Sequence, residues 1–246
     1  MPDKINTHSE QFAESGGKLT GTFRPKWPSL PWHEVVDRIT PITFRVYTGN
    51  TAGTAFIVSW KGNDAQQSAI LATAWHVIEE AASKPIDVQI VSSDRRKIFD
   101  TRVDEMRVQQ IGSSAHDTGL ILLRSKKPII APGQLAPILD FRSMIARGTE
   151  VGWLGFPGFV EPELCFFYGH VSGFINKPPL YLIDGVAING VSGGPVFDER
   201  CHLIGLVSAY LPNRASKKTT LPGLAALVPI NAIHYFLQHT MNALTL

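Results

Sequence analysis

Cysteine is scarce: Cys165 and Cys201 are the only two in a chain of 246 residues. Two thiols make no disulfide framework, and their spacing fits no zinc motif. The pair Cys201 and His202 offers half a metal site at most and reads more simply as a turn between strands. An excess of either charge is also lacking. The formal net charge is +2, which leaves no nucleic-acid footprint, and the short clusters Arg95-Arg96-Lys97 and Lys217-Lys218 read as solvated loops or as contacts for an acidic partner. No window approaches a membrane-spanning run free of charge or proline, and the polar N-terminus MPDKINTHSEQFAESGGKLTG lacks the apolar stretch of a signal peptide. The expectation is a cytoplasmic protein that engages neither membrane nor nucleic acid. The eight histidines contain no H-E-x-x-H pattern, so metal-dependent hydrolysis is disfavoured, and no cofactor or metal is expected.

What the chain does have is an ordinary globular composition, 44% hydrophobic and 18% charged, with 21 glycines and 17 prolines. Its length fits one large domain or two small ones sharing an interface. The glycines and prolines favour short strands between turns. Residues 1–31 read as a flexible arm whose last part, FRPKWPSLPW, packs against the body before a short helix over HEVVDRI. Strand patterns follow within 32–124: ITFRVYTG, TAFIVSW, SAILATA, DVQIVSS, MRVQQIG and TGLILLR. A proline-bearing connection spans 125–148. A second set, EVGWLGF, ELCFFYGHVSGFI, YLIDGVAI, GPVFD, HLIGLVSAY and GLAALVP, occupies 149–246 together with a terminal amphipathic helix over NAIHYFLQHTMNAL. Strands without intervening helices argue against a parallel α/β sheet and for an all-β fold of two β-barrels closed by a C-terminal helix.

Three short stretches carry candidate chemistry. In NGVSGGPVFD, residues 189–198, glycines flank Ser192 and permit a sharp bend close to other groups. The bend is either a glycine-rich turn into the strand Pro195-Val196-Phe197, or the seat of a nucleophile with the amides of Gly190 and Ser192 converging on a developing oxyanion. A serine hydroxyl is a weak nucleophile, so the second reading requires a base and a group to orient it. His76, in ILATAWHVIEEA, ends a strand where the pattern turns helical, and is either that base or a surface residue. Asp117, in SSAHDTGLILLR, is either a turn-capping carboxylate or the orienting acid. An unpartnered polar group beside a buried strand costs roughly 2 to 7 kcal/mol, so a partner for Asp117 is expected.

The order His76, Asp117, Ser192 matches the chymotrypsin arrangement and differs from the subtilisin and α/β-hydrolase orders. Over about residues 40–240 the chain resembles the chymotrypsin-like serine proteases. TAWHV is similar to that family's histidine motif, HDTGLILL to its acid strand with Gly119 in place of alanine, and NGVSGGP to its nucleophile loop. IGLVSAY resembles the substrate-binding strand and PGLAALVPINAIHYFLQ the last strand and helix. GTAFIV, GWLGFPG, GHVSGF and AINGVSGGPVFD resemble the bacterial high-temperature-requirement (Deg-type) branch, without its PDZ domain.

The resemblance implies two six-stranded antiparallel Greek-key barrels, the first carrying His76 and Asp117 and the second Ser192. It implies a serine endopeptidase in which His76 is the base, Asp117 its orienting acid, Gly190 and Ser192 the oxyanion donors, and Ser208 the support of the acid. The primary pocket would have Val186 at its base and Ala209, Tyr210 and Gly223 as walls. With no acid at the base, small to medium apolar residues are expected before the cut, unless Tyr210 folds over the surface and leaves a wider pocket. Val191 stands where secreted zymogens carry an aspartate, which excludes activation by a new N-terminal ion pair. The expected partners are a protein or peptide substrate and a regulatory protein that restrains or completes the site. Two other readings remain: a latent or inactive protease-like binding module, and an esterase using the same acyl-enzyme step.

Overall fold

The computed structural model describes residues 28–62, 67–100, 105–111, 117–125, 128–130, 138–140, 145–160, 162–214, 220–231 and 234. Helix α1 (Trp32–Ile39) leads through a 3-10 turn (Thr40–Ile42) into the first sheet. Its strands are β1 (Thr43–Thr48), β2 (Thr51–Gly62), β3 (Gln67–Thr73), β4 (Val88–Ser92), β5 (Lys97–Asp100), β6 (Glu105–Gln110) and β7 (Gly119–Ser125), with helix α2 (Trp75–Ser83) between β3 and β4. They pair antiparallel in the order β5-β4-β1-β2-β3-β7-β6. The second sheet comprises β8 (Ile138–Leu139), β9 (Glu150–Gly155), β10 (Cys165–Asn176), β11 (Pro179–Ile183), β12 (Pro195–Phe197), β13 (His202–Arg214) and β14 (Thr220–Pro229). Because β12 pairs with both β9 and β13, the ring β12-β9-β10-β11-β14-β13 closes into a six-stranded barrel.

This is the chymotrypsin-like all-β architecture, with differences of detail. The first sheet carries a seventh strand, β5, and stays a half-barrel open along its β5 and β6 edges. The KIFD pattern of β5 hides its strand character behind a charge at each end, yet Ile98 and Phe99 are buried and drive it onto β4. In place of a ladder, the Ser125 hydroxyl of β7 donates to the Ile98 carbonyl at 3.0 Å. The two-residue β8 adds to β13 in parallel, outside the ring. The expected terminal helix lies outside the described residues, except Asn231 and His234, and so does the arm up to residue 27. Among the described residues no helix is long and apolar enough to cross a membrane.

Burial follows from where each strand face points. β1 is buried on both faces at nearly every position, which suits a central strand covered by α2 and by the second barrel. β10 alternates from Tyr168 to Ser172, exposed and buried in turn, as a barrel wall with a wet outer face should. The larger apolar cluster runs from the first sheet into Leu154, Phe197, Leu203, Leu206 and Val228 of the second. The smaller one, built around Trp153, Tyr181, Val191 and Val207, fills the closed barrel. Part of the contact between the barrels is therefore apolar and continuous with a core.

Candidate active site

The chain leaves β3 at Thr73, turns at Ala74 and enters α2, which places His76 in the first helical turn, where backbone amides have no carbonyl one turn back. The His76 amide donates to Asp117 Oδ1 at 3.0 Å, and its ring Nδ1 lies 2.8 Å from Asp117 Oδ2. Asp117 reaches this position because it stands two residues before β7, and β7 pairs with β3 in a register that sets Gly119 opposite Thr73. At Gly119 a Cβ would stand 2.7 Å from Ile78 Cδ1 and 3.0 Å from Trp75 Cε3. The missing side chain lets α2 lie flat on β7, which gives a packing reason for glycine where alanine is the family's residue.

Ser208 falls at a bulge in the β13 and β14 ladder, between Val207 and Ala209. A bulge re-aims its side chain, and the Ser208 hydroxyl donates to Asp117 Oδ2 at 2.7 Å. Asp117 thus accepts from one hydroxyl, one ring and one amide. Burial pushes its carboxyl up, but the His76 and Ser208 hydrogen bonds outweigh it and hold the group below the usual carboxylate range. The His76 imidazole is pushed above its ordinary value, chiefly by the hydrogen bond to Asp117, with desolvation opposing. An imidazole held through Nδ1 presents Nε2 as the nitrogen available to take a proton.

Ser192, half-buried, lies on the loop between β11 and β12. Four successive carbonyls of this loop are engaged. Asn189 O accepts from the Gly158 amide at 2.9 Å, Gly190 O from the Thr54 hydroxyl at 2.8 Å, Val191 O from the Gly194 amide at 2.9 Å, and Ser192 O from the Thr54 amide at 2.9 Å. A trans peptide points its C=O and N–H to opposite sides. The amides of Val191 and Gly193 donate to Ile188 O and Val207 O, whereas those of Gly190 and Ser192 have no partner among the described residues. Two neighbouring spare donors beside a serine are what a developing oxyanion requires.

The glycines make this loop possible by close approach. Gly190 has φ +94°, and a Cβ there would stand 2.2 Å from Phe156 O; Gly193 has φ +84°, and a Cβ would stand 2.1 Å from Thr54 O. The loop therefore packs backbone to backbone against β2, and against Thr73 and Ala74 just before His76. The loop that carries Ser192 and the turn that leads into His76 thus meet where the barrels touch, and no hydrogen bond joins the two side chains among the described residues. Such bonds are often long before substrate arrives. Thr54 and the Gly158 amide are the parts of the site that the sequence did not single out.

Of the residues read as the primary pocket, Val186 is exposed between β11 and β12, Ala209 is exposed on β13, and Gly223 is half-buried on β14. The side chain of Tyr210 lies outside the described residues. Next to Val186, a Cβ at Gly185 would stand 2.3 Å from the buried Trp153 ring, so that ring fills the space behind this segment. One described group has the geometry of metal ligands, Asp140, Asp198 and His202, with donor atoms within 4.8 Å of one another. Asp198 already accepts from the Arg200 and His202 amides and pairs with the His202 ring. These bonds lock the turn in which Cys201 and His202 sit.

The family model of the trypsin-like peptidase domain matches residues 53–206. No curated protein matches the chain. Among solved structures, the serine endoprotease from Yersinia pestis is similar at 17% identity and a TM-score of 0.60, covering 85% of this chain and 66% of that one. The HtrA-type protease AlgW with a tripeptide is similar at 20% identity and 0.61, covering 85% and 62%. The chain thus spans less than two thirds of either protein. Rv3671c from M. tuberculosis H37Rv, in the inactive form of a serine-to-alanine mutant, is similar at 18% and 0.56, covering 83% of this chain and 89% of that one. At these identities the likeness is one of fold.

Proposed function

Since the chain belongs to the trypsin-like peptidase domain family, we propose that it is a serine endopeptidase acting through His76, Asp117 and Ser192. Ser192 Oγ attacks the scissile carbonyl carbon while His76 Nε2 takes the hydroxyl proton. The tetrahedral oxyanion is held by the amides of Gly190 and Ser192. His76 then returns the proton to the departing amine as the C–N bond breaks, leaving an acyl ester on Ser192. Water, deprotonated by the same imidazole, attacks that ester and frees the acid product. Asp117 keeps the ring in the tautomer with hydrogen on Nδ1 and stabilises the imidazolium, and Ser208 holds Asp117. The observation that carries this reading is the loop 189–193, whose carbonyls are turned away and whose two amides are left over beside a serine and a carboxylate-held histidine.

The substrate is read as a peptide with a small to medium apolar residue before the cut. No acid stands at Val186, and the Trp153 ring behind Gly185 leaves little depth there, which supports the reading. The missing hydrogen bond between Ser192 and His76 favours one rival, a protease-like module that is latent until a partner binds. Peptide-level mass spectrometry after fluorophosphonate treatment separates the two. Modification of Ser192 is expected in the wild type and abolished by both Ser192→Ala and His76→Ala, with peptide turnover lowered about 10⁴- to 10⁶-fold by either substitution and cleavage-site profiling to follow. A folded wild type that stays unmodified would establish the latent module instead.

A further inference from the structure

Thr54 spends its hydroxyl and its amide on the contact between the barrels. It is fully buried in β2, a strand of the first sheet, yet its hydroxyl serves two segments of the second half. It donates to Gly190 O at 2.8 Å and accepts from the Phe156 amide at 3.1 Å. The Thr54 amide donates to Ser192 O at 2.9 Å, and its carbonyl accepts from the Thr73 hydroxyl at 2.7 Å. Only a hydroxyl can donate and accept at one atom in so small a space, and the β-branch restricts its rotamer. The peptide that joins Gly190 to Val191 is thereby fixed, and so is the peptide that follows Ser192. The Ser192 amide lies on the peptide between them, and the Gly190 amide on the peptide just before. Phe156 O also lies 2.2 Å from where a Gly190 Cβ would stand, so the segment that Thr54 grips through Phe156 is the wall against which Gly190 rests.

The geometry points to Thr54 as the positioning residue of the oxyanion loop, a role that rests on the peptidase reading above. Thr54 touches no reacting atom. Its hydroxyl holds the peptide that follows Gly190 and, through the Phe156 amide, the segment whose Gly158 amide holds Asn189 O, so the peptide that carries the Gly190 amide is fixed from both sides. Replacing it with the isosteric valine leaves the Gly190 carbonyl and the Phe156 amide buried with no partner, and the loop is then free to turn so that they find others.

The test uses the full chain, a fluorophosphonate probe, and the variants Thr54→Val and Thr54→Ser, each checked for folding by circular dichroism. For Thr54→Val the limiting labelling rate at Ser192 is expected to fall about 10- to 100-fold, with the half-saturating probe concentration within about threefold of wild type, because an oxyanion donor acts on the transition state. Thr54→Ser, which keeps the hydroxyl, should stay within about fivefold of wild type. The acid limb of the rate profile should keep its midpoint in both, since His76 is untouched. Wild-type labelling by a folded Thr54→Val overturns the inference. So does equal impairment of the two variants, which would trace the effect to the methyl or to the strand. Should Thr54→Val not fold, Thr54→Ala removes the same hydroxyl without crowding and is judged by the same criteria. If the wild type itself is not labelled, the peptidase reading fails and the crystal structure of the folded variant decides this inference alone: a Gly190 carbonyl turned from its wild-type direction upholds it, and an unmoved loop overturns it.

Discussion

Asp117 accepts three hydrogen bonds at two oxygens, and the consequence at the level of single residues is a histidine tuned away from its free-solution behaviour. The hydrogen bond to Asp117 raises the His76 pKa, and burial works against it and loses. A base must be neutral to accept a proton, so activity falls as pH falls through that raised pKa, and the acid limb lies above the ~6.5 of an unperturbed imidazole. Asp117→Asn removes the charge and the carboxylate acceptor. The ring titration of His76 followed by NMR should then move to lower pH. An unmoved midpoint would show that Asp117 is not what raises it. His76, Asp117 and Ser192 were legible in the sequence because the chemistry restricts each to one residue type inside a recognisable local motif. Thr54 was not. Its partners are 136 and 102 positions away, and a threonine within a strand pattern looks like any β-branched strand former.

Among the elements, the turn from β12 to β13 shows how a short polar segment fixes a register. Asp198 accepts from the amides of Arg200 at 2.9 Å and His202 at 3.0 Å and pairs with the His202 ring at 3.0 Å, while Cys201 takes φ +60° to bring the chain round. This turn sets β12 against Leu203, Gly205 and Leu206 of β13, and β12 follows directly on the loop that carries Ser192. Burial raises the Asp198 carboxyl, but His202 and the turn amides more than offset it and leave the pKa depressed. The sign follows from linkage. A depressed folded pKa contributes stability that is present above the unfolded value near ~3.9 and lost as pH falls through the folded one. Asp198→Ala should therefore cost about 2 kcal/mol or more at pH 7, for hydrogen bonds to a charged group are worth about 1.5 to 3 kcal/mol each, and clearly less near pH 3. Urea titrations of both proteins at the two pH values measure it. A gap that does not shrink in acid would remove the carboxylate from the account. The strands on either side of this turn were legible from their β-branched and apolar runs. β8 was not, because two residues, Ile138 and Leu139, make no pattern, and neither were the far ends of β13 and β14, where polar residues such as Asn213, Arg214 and Thr220 are held in strands by pairing.

At the scale of the whole molecule, the site exists only where two barrels meet, so its integrity depends on their not moving apart. Three features tie them. The larger apolar cluster crosses from the first sheet into Leu154, Phe197 and Leu206 of the second. Thr54 bonds the Ser192 loop from the other side. The segment that precedes the first sheet docks on the second: the Leu30 amide donates to Glu199 O at 2.9 Å, Trp32 Nε1 donates to Glu150 Oε1 at 2.6 Å, and the Trp32 ring sits 5.4 Å from Phe166 and 6.1 Å from Phe197 between centroids. Helix α1 continues this anchor into the first core through Val35 and Ile39. A single apolar cluster shared by both halves predicts one cooperative transition rather than two. Hydrogen exchange followed by mass spectrometry across a urea series should show peptides from β3 and from β10 opening at the same concentration. Trp32→Ala removes ring contacts of a half-buried side chain and should cost up to about 3 kcal/mol, lowering both midpoints together. If β10 opens alone while β3 stays protected, the barrels are separate folding units, and their contact is held by Thr54 and its hydrogen bonds rather than by a common core.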